Sequence, residues 1–224
     1  MNTDFSARLV RWQKQHGRHG LPWQVREPYA VWLSEIMLQQ TQVATVLAYY
    51  PRFLAVFPNV AALAAADEDE VLALWAGLGY YSRARNLHAA AKQVVRDFGG
   101  RFPDTRQDLE TLKGVGRSTA AAIAAFAFGR REAILDGNVK RVLCRVFALL
   151  ADINDDTLFE REVCGKGFCR DALNVIDLFA RSLPSLETSV KVPKDIVKSH
   201  TAEPCDDLFF TTRFGDEDEG LFDI

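Results

Sequence analysis

The residues best suited to chemistry in this chain are two carboxylates and one turn. Glu35 lies inside Tyr29-Ala30-Val31-Trp32-Leu33-Ser34-Glu35-Ile36-Met37-Leu38, where apolar residues cover nearly the whole circumference of a helix. Burial there would favour the neutral carboxyl and suit it to donating a proton. Read alone, a surface glutamate on one polar stripe is the plainer reading of Glu35. The turn is Leu112-Lys113-Gly114-Val115-Gly116-Arg117-Ser118, and an apolar helical run from Ser118 to Phe128 follows at once. Two residues without a Cβ let a short turn approach another backbone closely. The first amide N–H groups of the following helix lack helical partners, so a phosphate oxygen can accept them. Asp136 follows 20 residues beyond Gly116, within Asp136-Gly137-Asn138. That triplet is a common turn signal, and Asp136 can simply cap the next helix. A cap and a catalytic group are compatible, because a helix N-terminus keeps a carboxylate ionised. Glu35 as proton donor and Asp136 as anion would reproduce the two-carboxylate logic of glycoside cleavage, here at the bond joining a base to deoxyribose.

Two further segments could touch a nucleic acid. Gln39-Gln40-Thr41-Gln42 packs four uncharged polar side chains into one helical turn or a break between helices. Amides can read base edges, and a solvent-facing polar patch is the plainer alternative. Gly77-Leu78-Gly79-Tyr80-Tyr81-Ser82-Arg83 combines glycines, aromatics and a cation. It could stack on bases while Arg83 meets phosphate, or link two helices through packed tyrosines. The cysteines, Cys144, Cys164, Cys169 and Cys205, match no CxxC pattern, and His16, His19, His88 and His200 form no ligand spacing. Spacing alone therefore gives no metal site.

Helices must position these groups, since no run of alternating strands is evident. Asp4 can cap a helix with apolar face Phe5, Leu9 and Trp12 that closes near Gly17. Gly20-Leu21-Pro22-Trp23 reads as a loop, and a helical stretch broken at most once runs from about Pro28 to Val56. Asp67-Glu68-Asp69-Glu70 suits a helix N-terminal turn. Leu87, Ala91, Val94, Val95 and Phe98 form an apolar stripe ending at Gly99-Gly100. Thr105 and Asp108 can form a capping box for a short helix, and Asn138 to Leu150 forms another. After about Asp156 the pattern changes. Gly165-Lys166-Gly167 interrupts Leu158 to Leu183, and residues 184–224 read as loosely ordered around Asp216-Glu217-Asp218-Glu219.

At 224 residues the chain can bury one large or two small cores, and its 48% hydrophobic and 25% charged content is ordinary for a globular protein. No apolar run approaches the roughly 20 residues that cross a bilayer. The N-terminal residues include Asp4 and show no signal-peptide pattern, and irregular cysteines fit a reducing cytosol. Residues 1–150 hold 19 Lys and Arg against 13 Asp and Glu, whereas residues 151–224 hold 8 against 17. The front of the chain could face a phosphate backbone, and the tail would be repelled by one.

Residues 5 to about 156 resemble the adenine-specific branch of the helix-hairpin-helix base-excision DNA glycosylases. The resemblance rests on Leu21-Pro22-Trp23, the run from Val31 to Val43, the run from Gly77 to Leu87, Gly114-Val115-Gly116-Arg117-Ser118-Thr119-Ala120, and Ile134-Leu135-Asp136-Gly137-Asn138-Val139-Lys140-Arg141-Val142. It implies an all-α fold of two helical lobes with the active site between them. Residues 1–27 would belong to the second lobe. Residues 28–133 would form a helical-barrel lobe containing the hairpin at about 109–128. Residues 134–156 would begin the second lobe, and residues 157–224 would be a divergent acidic tail. The implied activity is excision of adenine mispaired with 8-oxoguanine or guanine, after flipping the base from the duplex. Glu35 would protonate adenine, Asp136 would stabilise or trap the sugar cation, and Asn138 would organise the catalytic end. Gln39, Gln40, Thr41, Gln42 and Tyr80 would fill or wedge the duplex. Ser82, Arg83, Lys113, Gly114, Val115, Gly116, Arg117 and Lys140 would complete the DNA contacts. Relatives that nick the strand carry a lysine where this chain has Ser118, and serine cannot form the required Schiff base. The resemblance thus implies a monofunctional, monomeric enzyme acting on double-stranded DNA in the bacterial cytosol.

The chain departs from that family in two ways. Lys113 replaces the usual hairpin proline, adding a charge while loosening the turn. The family's 4Fe–4S cluster is held by cysteines spaced C-x6-C-x2-C-x5-C, and that pattern is absent, so no bound cluster is expected. The match fades abruptly near Asp156, as a frameshift or truncation would produce. With the family's C-terminal helices unrecognisable, the apolar face of the first helix and Trp23 should be poorly covered, with lower stability and weaker DNA binding. The competing readings are a mismatch-binding remnant without catalysis and a bifunctional glycosylase/lyase.

Overall fold

The computed structural model describes residues 3–130, 132 and 134–147, and the side chains of 8–145 within that span. These residues form helices without strands: α1 Thr3–His16, α2 Pro28–Leu38, α3 Val43–Val56, α4 Val60–Ala65, α5 Glu68–Trp75, α6 Tyr81–Phe98, α7 Arg106–Glu110, α8 Arg117–Phe128 and α9 Gly137–Phe147. The acidic tail, Gly165-Lys166-Gly167, Cys164, Cys169 and Cys205 lie outside the described residues.

Local chemistry explains where the helices begin and end. Glu27 caps α2 by accepting the Tyr29 and Ala30 amides at 3.0 and 2.6 Å, and Pro28 supplies a favourable first-turn φ. The stretch from Pro28 to Val56 breaks once, at residues 39–42. Gln40 adopts φ +54 there, a conformation few side chains favour. Asp67 precedes α5, whose first turn holds Glu68, Asp69 and Glu70, the sign that the helix dipole favours. Gly99, in the left-handed region, closes α6 with its amide on the Val94 carbonyl. Thr105 caps α7 through the Asp108 amide at 3.1 Å, but its hydroxyl donates to the Asp108 carboxylate, so the expected capping box is not reciprocal. α1 starts at Thr3, so Asp4 lies inside it rather than ahead of it.

One apolar core joins α2, α3, α4, α5, α6, α7 and α8, centred on Trp32, Leu33, Met37, Phe53, Leu63 and Trp75. α2 packs against α8, α3 and α6, and α7 packs against α8. Two expectations are corrected by this packing. Leu9 is buried, and Trp23 is buried with its ring edge-on to Tyr50 at 5.5 Å, so neither is poorly covered. Val95 is exposed and stands outside the α6 stripe.

α8 is apolar all round because both of its sides are covered. Ala120, Ile123, Ala124 and Ala127 enter the main core, while Ala121 and Ala122 pack with Ile134 in a second cluster. Alanine at 120, 121, 122 and 124 lets neighbours approach this helix closely from both directions.

Candidate active site

Glu35 sits on the last full turn of α2 and is 7% exposed, as the apolar surroundings predicted, and it interacts with other groups of the protein. Gln39 lies one helical turn further along the same face. Its Nε2 donates to the Thr119 hydroxyl on α8 at 3.3 Å. The helix carrying Glu35 is therefore stitched to the first turn of α8. Asp136 is half-buried and does act as a cap: its Oδ1 accepts the Val139 amide at 2.8 Å, and its carbonyl accepts the Lys140 amide. Ile134, two residues earlier, is fully buried on Ala121 and Ala122. Thr119 and Ala122 share one face of α8 at helical spacing. About one turn of a single helix thus meets a chain neighbour of each carboxylate, Gln39 beyond Glu35 and Ile134 before Asp136.

The hairpin between α7 and α8 treats its two glycines differently. Gly114 has φ +77, and a Cβ there would lie 2.7 Å from the Asn86 Cβ on α6. Its backbone presses on α6 and tolerates no side chain. Gly116 has φ −88, and a Cβ there would meet nothing within 4 Å. It precedes α8 with no side-chain cap, so no side chain of Gly116 covers the amides of the first turn. Val115 is buried between the glycines and anchors the turn, with its amide on the Leu112 carbonyl at 3.1 Å. Lys113 and Arg117 are exposed, and Ser118 is half-buried. The proline-to-lysine departure leaves the Leu112–Val115 turn closed.

Other candidate residues sit differently from expectation. Arg83 is buried and points inward rather than toward a phosphate. Its Nη1 donates to the carbonyls of Ile36, Met37 and Gln39, and its Nη2 donates to the Thr41 hydroxyl and the Leu78 and Gly79 carbonyls. Burial pulls its pKa down from the ordinary value, against a smaller opposing effect of Tyr80. A cation beside flexible glycines reads as a surface group in sequence, yet here it satisfies carbonyls at the end of α2. Lys140 is also buried and interacts with other groups, so it is not presented as an open cation. Asn138 accepts a hydrogen bond from Arg141 through Oδ1. Gln40, Gln42, Tyr80, Tyr81 and Ser82 are exposed, whereas Gln39 and Thr41 are half-buried. Thr119 and Asn86 carry roles that sequence reasoning missed. Nothing local marks a partner 80 residues away, so no short-range signal could have found the Gln39–Thr119 contact.

Cys144 is half-buried on α9, and burial pushes its thiol up from the ordinary value. No group of three or more His, Cys, Asp or Glu suited to a metal ion occurs among the described residues. No helix among them is long and apolar enough to cross a membrane.

Among the described residues the fold is all-helical, with a glycine hairpin leading into the helix that meets Gln39 and Ile134. Residues 33–164 match the family model described as HhH-GPD superfamily base excision DNA repair protein, and the chain belongs to that family. Within it, two similar relatives are named adenine DNA glycosylase. The adenine DNA glycosylase of Buchnera aphidicola subsp. Baizongia pistaciae is 47% identical over 146 residues, covering 65% of this chain and 42% of that protein. The adenine DNA glycosylase of Homo sapiens is 48% identical over 173 residues, covering 73% of this chain and 31% of that protein. The chain thus spans less than half the length of these relatives. Among solved structures, a thermostable thymine-DNA glycosylase superposes with a TM-score of 0.70 at 28% identity, covering 85% of this chain and 88% of the other. A non-covalent endonuclease III–DNA complex gives 0.65 at 20% identity, over 81% and 83% of the two chains, a likeness of fold alone.

Proposed function

We propose that this chain is a monofunctional DNA glycosylase that hydrolyses the N-glycosidic bond of adenine mispaired with 8-oxoguanine or guanine. The observation that carries the reading is that Gln39, one turn beyond Glu35, and Ile134, two residues before Asp136, both meet α8 immediately behind the hairpin. The relatives named adenine DNA glycosylase support the choice of adenine. In this reading the hairpin grips the backbone of double-stranded DNA. Gly116 leaves space for a phosphate to reach the first amides of α8, and Lys113 and Arg117 add positive charge beside them.

Adenine must leave the stack before its glycosidic carbon can be reached. Gln40, Gln42 and Tyr80, exposed on adjoining loops, occupy the space it vacates. Glu35, in its apolar helix, donates a proton to the adenine ring so that the base departs as a neutral molecule. Asp136 sits at the positive end of α9, with Oδ1 fixed by Val139, and faces the oxocarbenium-like sugar as its counter-charge. Water completes the hydrolysis with Glu35 accepting its proton. Ser118 has no amine, so the strand is left intact.

A single-turnover assay on a duplex bearing adenine opposite 8-oxoguanine tests this reading. Wild-type protein should release adenine and leave an abasic site that breaks only on alkali treatment. Glu35→Gln should lose at least about 100-fold in rate, as expected for removing a general acid, and keep duplex affinity. Binding without any release by the wild type would instead identify a mismatch-binding remnant.

A further inference from the structure

Among the described residues, only Gln40 and Tyr80 are non-glycine residues with positive φ, +54 and +48. Such backbone persists when surrounding contacts hold it in place. The two residues lie on different loops, one following α2 and the other preceding α6, and both are exposed. One side chain lies between them. The Arg83 guanidinium bonds the Gln39 carbonyl and the Thr41 hydroxyl on either side of Gln40, and the Leu78 and Gly79 carbonyls just ahead of Tyr80. It also lies 5.5 Å from the centroid of the Tyr80 ring, and 5.5 Å from Trp75, whose Nε1 bonds the Gly79 carbonyl at 3.1 Å.

We infer that Arg83 is a positioning residue, which touches no DNA and locks the Gln40 and Tyr80 loops into one rigid element that enters the duplex at the mismatch. The inference rests on the glycosylase reading for what the element enters, though not for the lock itself. A planar fork with five N–H donors can bridge two loops, whereas a lysine ammonium is a point charge that cannot. Lysine at this position keeps the charge and loses the lock.

The test compares Arg83→Lys and Arg83→Met with wild type in two arms. In the free protein, amide hydrogen exchange at residues 39–42 and 78–80 should speed up about tenfold or more in both variants, while α8 keeps its protection. Unchanged exchange in those loops would overturn the lock. The second arm measures binding to a duplex with 2′-fluoroadenosine opposite 8-oxoguanine and 2-aminopurine beside it, across a salt series. Both variants should lose about tenfold in preference over the matched duplex, together with the 2-aminopurine fluorescence rise that marks unstacking. Their salt dependence should stay as in wild type, because no phosphate contact is removed. A slope lower by about one unit in Arg83→Met, with Arg83→Lys restored to normal, would show a phosphate contact and overturn the inference.

If both arginine variants fail to fold, Thr41→Val removes one acceptor of the fork without burying a charge, and Thr41→Ser retains it. Loosened loops in the first with wild-type behaviour in the second support the lock, and equal behaviour of the two overturns it. Wild-type protein that shows no mismatch preference would refute the glycosylase reading, while the exchange arm would still decide the lock.

Discussion

Replacing the two hairpin glycines one at a time with alanine should produce opposite phenotypes. At Gly114, alanine would have to adopt φ +77, and its Cβ would lie 2.7 Å from the Asn86 Cβ. The left-handed conformation costs a non-glycine residue about 1–2 kcal/mol. The contact adds about 1–3 kcal/mol, because the obstructing atom is the root of a side chain on α6 and cannot swing away. The sum, roughly 3 kcal/mol, should lower Tm by roughly 6–12 °C in a protein of this size. At Gly116, φ is −88 and an alanine Cβ would meet no atom within 4 Å, so only the slight preference for glycine over alanine ahead of a helix is lost, under about 1 kcal/mol. The open space that spares stability is the space a DNA phosphate would enter. Gly116→Ala should therefore fold like wild type and bind duplex about tenfold more weakly, a loss of about 1.4 kcal/mol. Thermal unfolding followed by circular dichroism, with fluorescence anisotropy on a labelled duplex, reads both effects. Equal destabilisation by the two substitutions, or unchanged DNA affinity in Gly116→Ala, would refute the division of labour argued for this turn.

Two further expectations concern chemistry and pH. Ser118→Lys should gain strand scission without alkali and a borohydride-trappable adduct with abasic DNA, since a lysine at the head of α8 supplies the missing amine; no gain of either would displace Ser118 from the reaction centre. Burial, with a smaller contribution from Glu27, pushes the Tyr50 phenol up to about 12, and its hydroxyl donates to the Ala30 carbonyl at 3.2 Å. The folded state thus favours the neutral phenol, so this stability is intact below about pH 10 and lost as pH rises through about 12. Tyr50→Phe should flatten the alkaline limb of a chemical-unfolding series between those values, and a limb as steep as wild type would exclude Tyr50 as its source.

Several boundaries are readable in the sequence because they depend on local chemistry alone. The acidic run at Asp67–Glu70, the closing glycine of α6 and the turn at Asp136 are all settled by groups within about five residues of the boundary. α4 is not legible: six residues of Val, Ala and Leu give no periodicity to read, and its Asn59 cap resembles any loop asparagine. Arg83 misleads for a physical reason. A cation's direction is decided by which carbonyls need partners, and those at the C-terminal end of α2 lie 46 and 47 positions earlier. The two hairpin glycines look equivalent in sequence, and only the proximity of α6 separates a required glycine from an open one.

The same reasoning explains why so small-sided a helix as α8 sits where the chemistry is expected. A helix of large residues would hold its neighbours apart, whereas alanine at positions 120, 121, 122 and 124 admits α2 on one flank and the Ile134 segment on the other. The α2 and Ile134 segments therefore owe their approach to one helix to missing side-chain volume. Enlarging Ala121 or Ala122 would move the Asp136 segment without touching either carboxylate. The glycines ahead of α8 follow the same rule, one letting α6 approach and the other leaving the approach open.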